Sequence, residues 1–431
     1  MTDLIINGGV PLNGTIKPSG NKNAVLPMLC ASLLTEEPVT LTNVPAITDV
    51  TKILDYFRSL GSKVDYSPED GTLTVQHPHE PAREAARNLP LGIRSAVLLL
   101  APVLFRAGHL GFDVDAKGCA LGIREIDPHI NCLATFGASV SQDTGIDLTL
   151  PGRPEAQAIW AEYASVTATE TFAMIAAIAK GRSVLTNAAS EPHVQALCRM
   201  LADMGATIEG EGTSRLTIEG SDHLGGTTQA VPDDHHEVAT FLAFGGVTGG
   251  RITVKTDIVP EMPLILDQFG KLGLQFEQAP GEVTVTGWTR EVTPPLTAQM
   301  TAKIEAAPWP YFPADLLPQA IGVAVGCKGD VLFWNKVYEG ALGWSSELAK
   351  FGVRAHLSDP HRLLIFGGNR LRPAEVEAPY IIRVVVALAI AAMQIEGRSR
   401  ILKADPLRRA HPNLIENLTA LGADIRWEEG K

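Results

Sequence analysis

The sequence predicts an α/β protein made of two similar halves, and three observations support this prediction. A motif of apolar strand, loop, helix and glycine recurs six times in 431 residues, at a period of about 70 residues. Each repeat also contains a helix that is apolar nearly all round, as buried helices are. A glycine follows the other helix of each repeat, where a left-handed residue ends a helix and turns the chain back. Since six repeats divide evenly, we expect two units of three repeats, each closed around its own buried helices.

Three copies of the motif are clear and three are weaker. The clear copies are EPVTLTNVPAITDVTKILDYFRSLGSKV (37–64), GRSVLTNAASEPHVQALCRMLADMGATI (181–208) and GRSRILKADPLRRAHPNLIENLTALGADI (397–425). The weaker copies end in FGASV (136–140), LGLQF (272–276) and FGVRA (351–355). The helices expected inside are NAVLPMLCASLL, SAVLLLAPVL, ETFAMIAAIA, EVATFLAFGGV, ADLLPQAIGVAVG and RVVVALAIAAM. Because such helices have no polar face to offer water, we expect closure around a core rather than an open solenoid.

Composition restricts the class of protein. Acidic residues outnumber basic ones by 48 − 36 = 12, which argues against extensive nucleic-acid binding. We expect no signal peptide, since the N-terminus lacks a basic segment followed by an apolar one. The apolar run VVVALAIAAM is too short to span a membrane. Five cysteines without a C-x-x-C pair predict reduced thiols in a cytoplasmic protein, with Cys30, Cys132, Cys198 and Cys327 in the core.

Charged and polar residues recur at one position of the repeat. Those near the starts of the apolar helices are Lys22, Arg94, Ser165, Thr169, Asp234, Glu237, Asp315 and Arg383, and the other helices add Asp49, Arg124, Glu191, Lys336 and Arg409. Helix N-termini carry partial positive charge, so N-termini that share a cleft with lysines and arginines would bind a multiply charged anion. The alternative is that each charge caps its own helix or forms a solvated ion pair.

Several motifs resemble those of the enolpyruvyl transferases. They are SGNKNAVLP (19–27), NVPAITD (43–49), GCALGIREIDPH (118–129), NAASEP (187–192), FPADL (312–316) and LTALGADI (418–425). The similarity is greatest to members whose acceptor is UDP-N-acetylglucosamine. It implies an inside-out α/β barrel in two similar domains, with ligands in the cleft between them. The implied domains are 22–233, which carries a mobile loop around Cys119, and 1–21 with 234–431.

The resemblance also implies a reaction. A sugar hydroxyl attacks the central carbon of phosphoenolpyruvate while a proton reaches the methylene carbon, and the tetrahedral ketal then loses phosphate. The product would be the first committed precursor of peptidoglycan. Asp315 matches the family's base. Cys119 matches the cysteine that donates the proton or forms a covalent adduct and that fosfomycin alkylates, and Lys22 matches a third catalytic residue.

Binding residues follow from the same resemblance. Phosphoenolpyruvate would contact Lys22, Arg94, Arg124, Lys336, Arg383 and Arg409. The UDP-sugar would contact Asn23, Arg124, Asp127, His129, Ser165, Val166, Thr167 and Asp315. The cations would be supported by Asp49, Glu191 and Asp234. We expect no cofactor, and no metal at His235 and His236, because adjacent helical residues point apart and no carboxylate-rich set surrounds them.

Five positions depart from the family pattern. They are Tyr163, Thr167, Trp334, Lys336 and Ile381. The acceptor therefore stays open between UDP-N-acetylglucosamine and another uridine nucleotide or sugar. A non-catalytic relative that binds UDP-sugars is a further alternative. A shikimate phosphate acceptor is disfavoured because the cysteine loop is present, and the sequence does not predict an oligomeric state.

Overall fold

The structure is a computed structural model that describes residues 2–86, 89–90, 93–112, 125–142, 145–297, 300–411 and 413–430, except for the side chains of Arg83 and Arg94. The described residues form two compact units. The central unit comprises the described residues of 20–232, and the terminal unit comprises residues 2–19 and those of 233–430. The predicted borders at 22 and 234 lie within two residues of this division.

The described residues contain strands, α-helices and 3₁₀-helices. The strands are β1 Thr2–Gly8, β2 Asn13–Ile16, β3 Val39–Thr42, β4 Lys63–Ser67, β5 Thr72–Gln76, β6 His109–Phe112, β7 Ser139–Ser141, β8 Ile146–Thr149, β9 Ala158–Trp160, β10 Arg182–Thr186, β11 Thr207–Glu209, β12 Arg215–Glu219, β13 Thr227–Ala230, β14 Arg251–Lys255, β15 Leu274–Ala279, β16 Glu282–Trp288, β17 Ala302–Ala306, β18 Val331–Asn335, β19 Ala355–Asp359, β20 Arg362–Ile365, β21 Glu375–Glu377, β22 Gly397–Leu402 and β23 Asp424–Glu429. The α-helices are α1 Lys22–Ser32, α2 Thr48–Ser59, α3 Arg83–Ala86, α4 Leu100–Ala107, α5 Asp127–Thr135, α6 Val166–Ile178, α7 Pro192–Asp203, α8 His235–Val247, α9 Pro263–Lys271, α10 Leu317–Ala324, α11 Ile382–Met393 and α12 Leu414–Ala420. The 3₁₀-helices are Arg94–Leu99, Val259–Glu261, Ala314–Leu316, Gly343–Phe351 and Asp405–Arg409.

Each unit contains three small sheets. Those of the central unit have the orders β13-β3-β5-β4, β11-β12-β10-β9 and β6-β8-β7. Those of the terminal unit have the orders β21-β22-β1-β23, β15-β16-β14-β2 and β17-β18-β20-β19. Five of them combine one parallel pair at an edge with antiparallel neighbours, as β3 does with β13 and β5. The recurrence confirms the predicted repeats across the described part of the chain.

The apolar helices lie at the centre of each unit, as the sequence predicts. They are α1, α4 and α6 in the central unit and α8, α10 and α11 in the terminal unit. In α11 every residue from Val384 to Met393 is buried. Gly322 of α10 lets α11 approach closely, because a Cβ there would lie 2.6 Å from the carbonyl oxygen of Ala387. Small residues thus allow the central helices to pack in direct contact.

Glycines end the outer helices in the left-handed conformation. They are Gly61, Gly137, Gly205, Gly273, Gly352 and Gly422, with φ between 84° and 123°. This confirms the predicted helix ends, since a side chain at such φ values would be strained.

Two inner helices differ from the predicted α-helices at their starts. The second begins as the 3₁₀-helix Arg94–Leu99, and the fifth begins as Ala314–Leu316. In each case α-helix starts just before a proline, Pro102 or Pro318, which needs no backbone donor in a first turn. Among the residues described, no helix has both the length and the hydropathy to cross a bilayer.

Candidate active site

Asp315 lies in a held but accessible position in the terminal unit. It belongs to the 3₁₀ turn Ala314–Leu316, which follows Pro313 and precedes α10. The Tyr338 hydroxyl donates to its Oδ1 at 3.3 Å, and its Oδ2 lies 3.6 Å from Arg383 Nε. The Asp315 side chain nevertheless stays 28% exposed. A carboxylate that is oriented by two groups and remains open on one side can accept a proton from a bound hydroxyl.

The loop after β18 places Tyr338 beside Asp315. Buried Asn335, the last residue of β18, accepts hydrogen bonds at its Oδ1 from the backbone N–H groups of Val337 and Tyr338 at 2.9 and 3.0 Å. Such a side-chain turn fixes the chain locally. Sequence reasoning missed the roles of Asn335 and Tyr338, although an asparagine at a strand end is a signal for a turn.

Lys336, predicted to hold the carboxylate of phosphoenolpyruvate, lies in the same loop. Its ammonium group pairs with Glu305 of β17 and lies 4.3 Å from the ring centroid of Trp334. Glu305 also pairs with Lys303. Hydrogen bonds from Lys303 and Lys336 hold the pKa of Glu305 below its usual value. A ligand carboxylate at Lys336 would therefore compete with an ionised neighbour.

Arg383, in the first turn of α11, contacts His411 as well as Asp315. Its Nη1 lies 2.7 Å from His411 Nε2, and His411 Nδ1 lies 3.5 Å from Glu237 Oε1. Arg409, in the 3₁₀-helix before α12, lies with its guanidinium carbon 5.6 Å from the ring centroid of Tyr380. Sequence reasoning missed His411 because nothing in the local pattern connects it to a residue 28 positions earlier.

Asp234 and the two histidines after it form a buried cluster at the start of α8. Asp234 Oδ1 accepts hydrogen bonds from the backbone N–H and from Nδ1 of His236, both at 2.9 Å. The ring centroids of His235 and His236 lie 4.0 Å apart, with the ring planes tilted by 35°. The expectation that these rings point apart is therefore wrong, because the bond to Asp234 draws the His236 ring back toward the helix start.

The same three residues have the spacing of metal ligands. One ligand atom from each lies within 4.8 Å of the others. Burial favours the neutral acid at Asp234, but His236, Arg383 and His235 outweigh it and hold the pKa of Asp234 well below its usual value. The ionised carboxylate is already paired with His236, so the cluster is explained as a hydrogen-bonded helix cap.

In the central unit, Lys22 is the first residue of α1, after the N-cap Asn21. The Asn21 side chain accepts from the backbone N–H groups of Asn23 and Ala24, which aligns the helix start. Lys22 Nζ lies 2.6 Å from Asp49 Oδ2, with the two side chains 14% and 4% exposed. Asp49 lies in the first turn of α2, where a negative charge is also favoured by the helix dipole. This pair fixes a cation at the N-terminus of an inner helix.

His129 joins two helices of the central unit. Its Nδ1 and Nε2 lie 2.8 and 3.1 Å from the hydroxyls of Thr171 and Thr167 on α6. The ring is buried, so it orients Thr167 rather than presenting a broad surface to a ligand. Asp127, at the start of α5, is exposed. Ser165 caps α6 through its hydroxyl, which accepts from the backbone N–H of Ala168, and Val166 opens the helix.

Of the remaining predicted site residues, the structure describes Glu191 but not Cys119, Arg124 or the side chain of Arg94. Glu191 is the N-cap residue of α7. Burial and the nearby Glu191 raise the pKa of Glu170 well above its usual value. Cys119 and Arg124 lie outside the described residues, as does the side chain of Arg94. The other four cysteines are free and buried, which confirms the prediction of core thiols.

Comparison with known proteins identifies the family. The family model described as EPSP synthase (3-phosphoshikimate 1-carboxyvinyltransferase) matches residues 6–418. The UDP-N-acetylglucosamine 1-carboxyvinyltransferase of Treponema denticola is 36% identical over 430 residues, covering 100% of both chains. That of Bradyrhizobium diazoefficiens is 36% identical over 423 residues, covering 98% of this chain and 97% of the relative. The chain therefore belongs to the EPSP synthase family of enolpyruvyl transferases.

Solved structures show the same fold. The enolpyruvyl transferase NikO from Streptomyces tendae aligns with a TM-score of 0.86 at 22% identity, covering 100% of this chain and 99% of that one. EPSP synthase from Acinetobacter baumannii aligns with a TM-score of 0.76 at 16% identity, covering 100% of both chains. These likenesses confirm the fold class predicted from the sequence, two similar units of repeated α/β elements around buried helices.

Proposed function

We propose that this protein transfers the enolpyruvyl group of phosphoenolpyruvate to a hydroxyl of UDP-N-acetylglucosamine and releases phosphate. The observation that carries the proposal is Asp315, oriented by Tyr338 and Arg383 and still accessible, at the position of the family's base. The full-length similarity to relatives with this activity in their names supports the choice of acceptor. In a cell this reaction would begin peptidoglycan precursor synthesis.

The chemistry divides among three groups. Asp315 removes the proton from the attacking sugar hydroxyl, while Cys119 delivers a proton to the methylene carbon or forms an adduct with the enolpyruvyl donor. Lys22 stabilises the negative charge of phosphoenolpyruvate and of the phosphate that leaves. Asp49 holds Lys22 in place through the 2.6 Å ion pair.

The donor and the acceptor use different sets of side chains. Phosphoenolpyruvate would be held by Lys22, Arg94, Arg124, Lys336, Arg383 and Arg409. The UDP-sugar would be held by Asn23, Arg124, Asp127, His129, Ser165, Val166, Thr167 and Asp315. In the second set, His129 acts mainly by orienting the hydroxyl of Thr167, which lies 3.1 Å from its Nε2. Glu191 and Asp234, like Asp49, would support the cations. Both substrates are small molecules, and we propose a cytoplasmic enzyme.

A panel of acceptors tests this function. Phosphate release from phosphoenolpyruvate should occur with UDP-N-acetylglucosamine and not with shikimate 3-phosphate. Turnover with UMP at least as efficient as with the UDP-sugar would transfer the assignment to a paralogue acting on another uridine nucleotide. Binding of the UDP-sugar without phosphate release from any acceptor would identify a non-catalytic relative.

A further inference from the structure

Three contacts connect Glu237 to Asp315 inside the terminal unit. Glu237 Oε1 lies 3.5 Å from His411 Nδ1. His411 Nε2 lies 2.7 Å from Arg383 Nη1, and Arg383 Nε lies 3.6 Å from Asp315 Oδ2. The backbone N–H of Ser19 donates to the other oxygen of Glu237. Residues distant in sequence are thus connected through one imidazole, which itself contacts Glu237 of α8 and Arg383 of α11.

The contact with Arg383 determines where His411 carries its proton. A guanidinium group only donates hydrogen bonds, so His411 Nε2 must accept with its lone pair. The neutral ring then carries its proton on Nδ1, which is the nitrogen that faces the Glu237 carboxylate. Glu237 and His411 are each about 1% exposed at their side chains, so water does not compete for these contacts.

Arg383 needs such an anchor. It is the second residue of α11, and its long side chain has several rotamers to lose when it is held in one place. Asp315 fixes only the Nε edge, at 3.6 Å. The short bond to His411 fixes Nη1 and leaves the remaining N–H groups of the planar fork in a defined orientation.

We propose that His411 is a positioning residue for Arg383, and through it for the carboxylate of the donor substrate and for Asp315. Arg383 and Glu237 both favour the tautomer of His411 that carries its proton on Nδ1, and His411 Nε2 sets the orientation of the guanidinium group. This inference rests on the proposed function, because it deepens the role of Arg383 in binding phosphoenolpyruvate.

Two amide variants of the full-length protein separate positioning from packing. His411→Gln extends far enough to place its oxygen near the position of Nε2, while His411→Asn is one methylene shorter and ends near Nδ1. A hydrogen bond to a charged group contributes enough that its loss corresponds to about 10-fold or more in binding. We therefore expect the KM for phosphoenolpyruvate to rise about 10-fold in His411→Asn and to stay within about 3-fold in His411→Gln.

The readouts distinguish the residue's role from a general loss of structure. The KM for the UDP-sugar should change little in either variant, and the exposed His356→Leu should leave both KM values unchanged. Equal changes in both KM values, or the same KM for phosphoenolpyruvate in the Asn and Gln variants, would overturn the proposal.

Direct binding keeps the two proposals separable. Calorimetric titration of phosphoenolpyruvate into each protein, with no acceptor present so that no turnover occurs, should show weaker binding only in His411→Asn. If the wild-type protein binds phosphoenolpyruvate but releases no phosphate, the proposed function fails and this comparison still decides the role of His411. Absence of binding to the wild-type protein, or equal affinity in all three, refutes the inference.

Discussion

Replacing Asp315 by asparagine should remove the base and preserve the fold. The amide can meet both neighbours: its oxygen faces Arg383, which only donates, and its NH₂ faces the Tyr338 hydroxyl oxygen, which can accept. The exchange removes this acceptor for the proton of the Tyr338 hydroxyl, but Tyr338 is only half-buried, so we expect a melting temperature close to that of the wild-type protein. The side chain is also 28% exposed, which limits any cost of the change.

The catalytic effect of Asp315→Asn should be large. A positioned general base contributes about 100-fold to 10,000-fold, so kcat should fall by at least about 100-fold, or about 2.7 kcal/mol in activation free energy. The KM for phosphoenolpyruvate should not rise, because Arg383 loses a competing negative charge.

Steady-state phosphate release with UDP-N-acetylglucosamine measures both constants. Asp267→Asn on α9 is the matched control, since that carboxylate is 61% exposed and its contacts are with Lys271 four residues later and with the adjacent Gln268. A near-normal kcat for Asp315→Asn would assign Asp315 to capping of the helix start and refute it as the base.

Three further predictions concern other groups. Fosfomycin should form one adduct, on Cys119, which forms faster when UDP-N-acetylglucosamine is present and is absent in Cys119→Ser. Burial raises the pKa of Cys30 well above its usual value and raises those of Cys132, Cys198 and Cys327 to about 12, so these thiols should not react. Peptide mass spectrometry that finds these four cysteines modified would contradict the assignment. Glu305→Gln should lower the KM for phosphoenolpyruvate by about 2- to 5-fold, because Lys336 would no longer face a carboxylate. The fold should tolerate the change, since exposed ion pairs contribute little to stability. An unchanged or higher KM would show that Lys336 does not belong to the donor site. Glu170→Gln should raise the melting temperature at pH 7, and the gain should disappear toward pH 4. Burial and Glu191 raise the pKa of Glu170 in the folded protein, so stability is lost as pH rises above the unfolded pKa; a gain that does not depend on pH would contradict this reasoning.

The repeats were predictable because they depend on local features. A left-handed glycine such as Gly61 and an apolar helix such as α11 are determined within a few residues, and periodicity exposes them. The resemblance also predicted Asp315 as the base, since FPADL is a contiguous motif, and that role stays a prediction. What the residues alone did not predict are contacts between distant elements, such as that of His411 with Arg383.

The neighbouring rings of His235 and His236 show why a rule based on ideal helices was wrong. Successive Cβ atoms on a helix are rotated by about 100°, which suggests that neighbouring rings diverge. His235 and His236 occupy the first turn, where Asp234 offers one oxygen to both the backbone and the ring of His236. The hydrogen bond to Asp234 therefore selects the side-chain rotamer of His236, so the direction of this ring depends on Asp234 rather than on ideal helix geometry.

Lys336, one of the five positions that depart from the family pattern, bears on how the donor carboxylate would be recognised under the proposed function. An ammonium group is a point charge with three donors, and that of Lys336 already pairs with Glu305 and lies over Trp334. Arg383 presents a planar fork of five donors, of which Nη1 is used by His411 and Nε lies nearest Asp315. Under the proposed function, directional, bidentate recognition of the carboxylate would depend on Arg383, while Lys336 would supply charge that Glu305 partly offsets. Because His411 fixes the fork, we infer that His411 and Lys336 would act on the same substrate group under the proposed function.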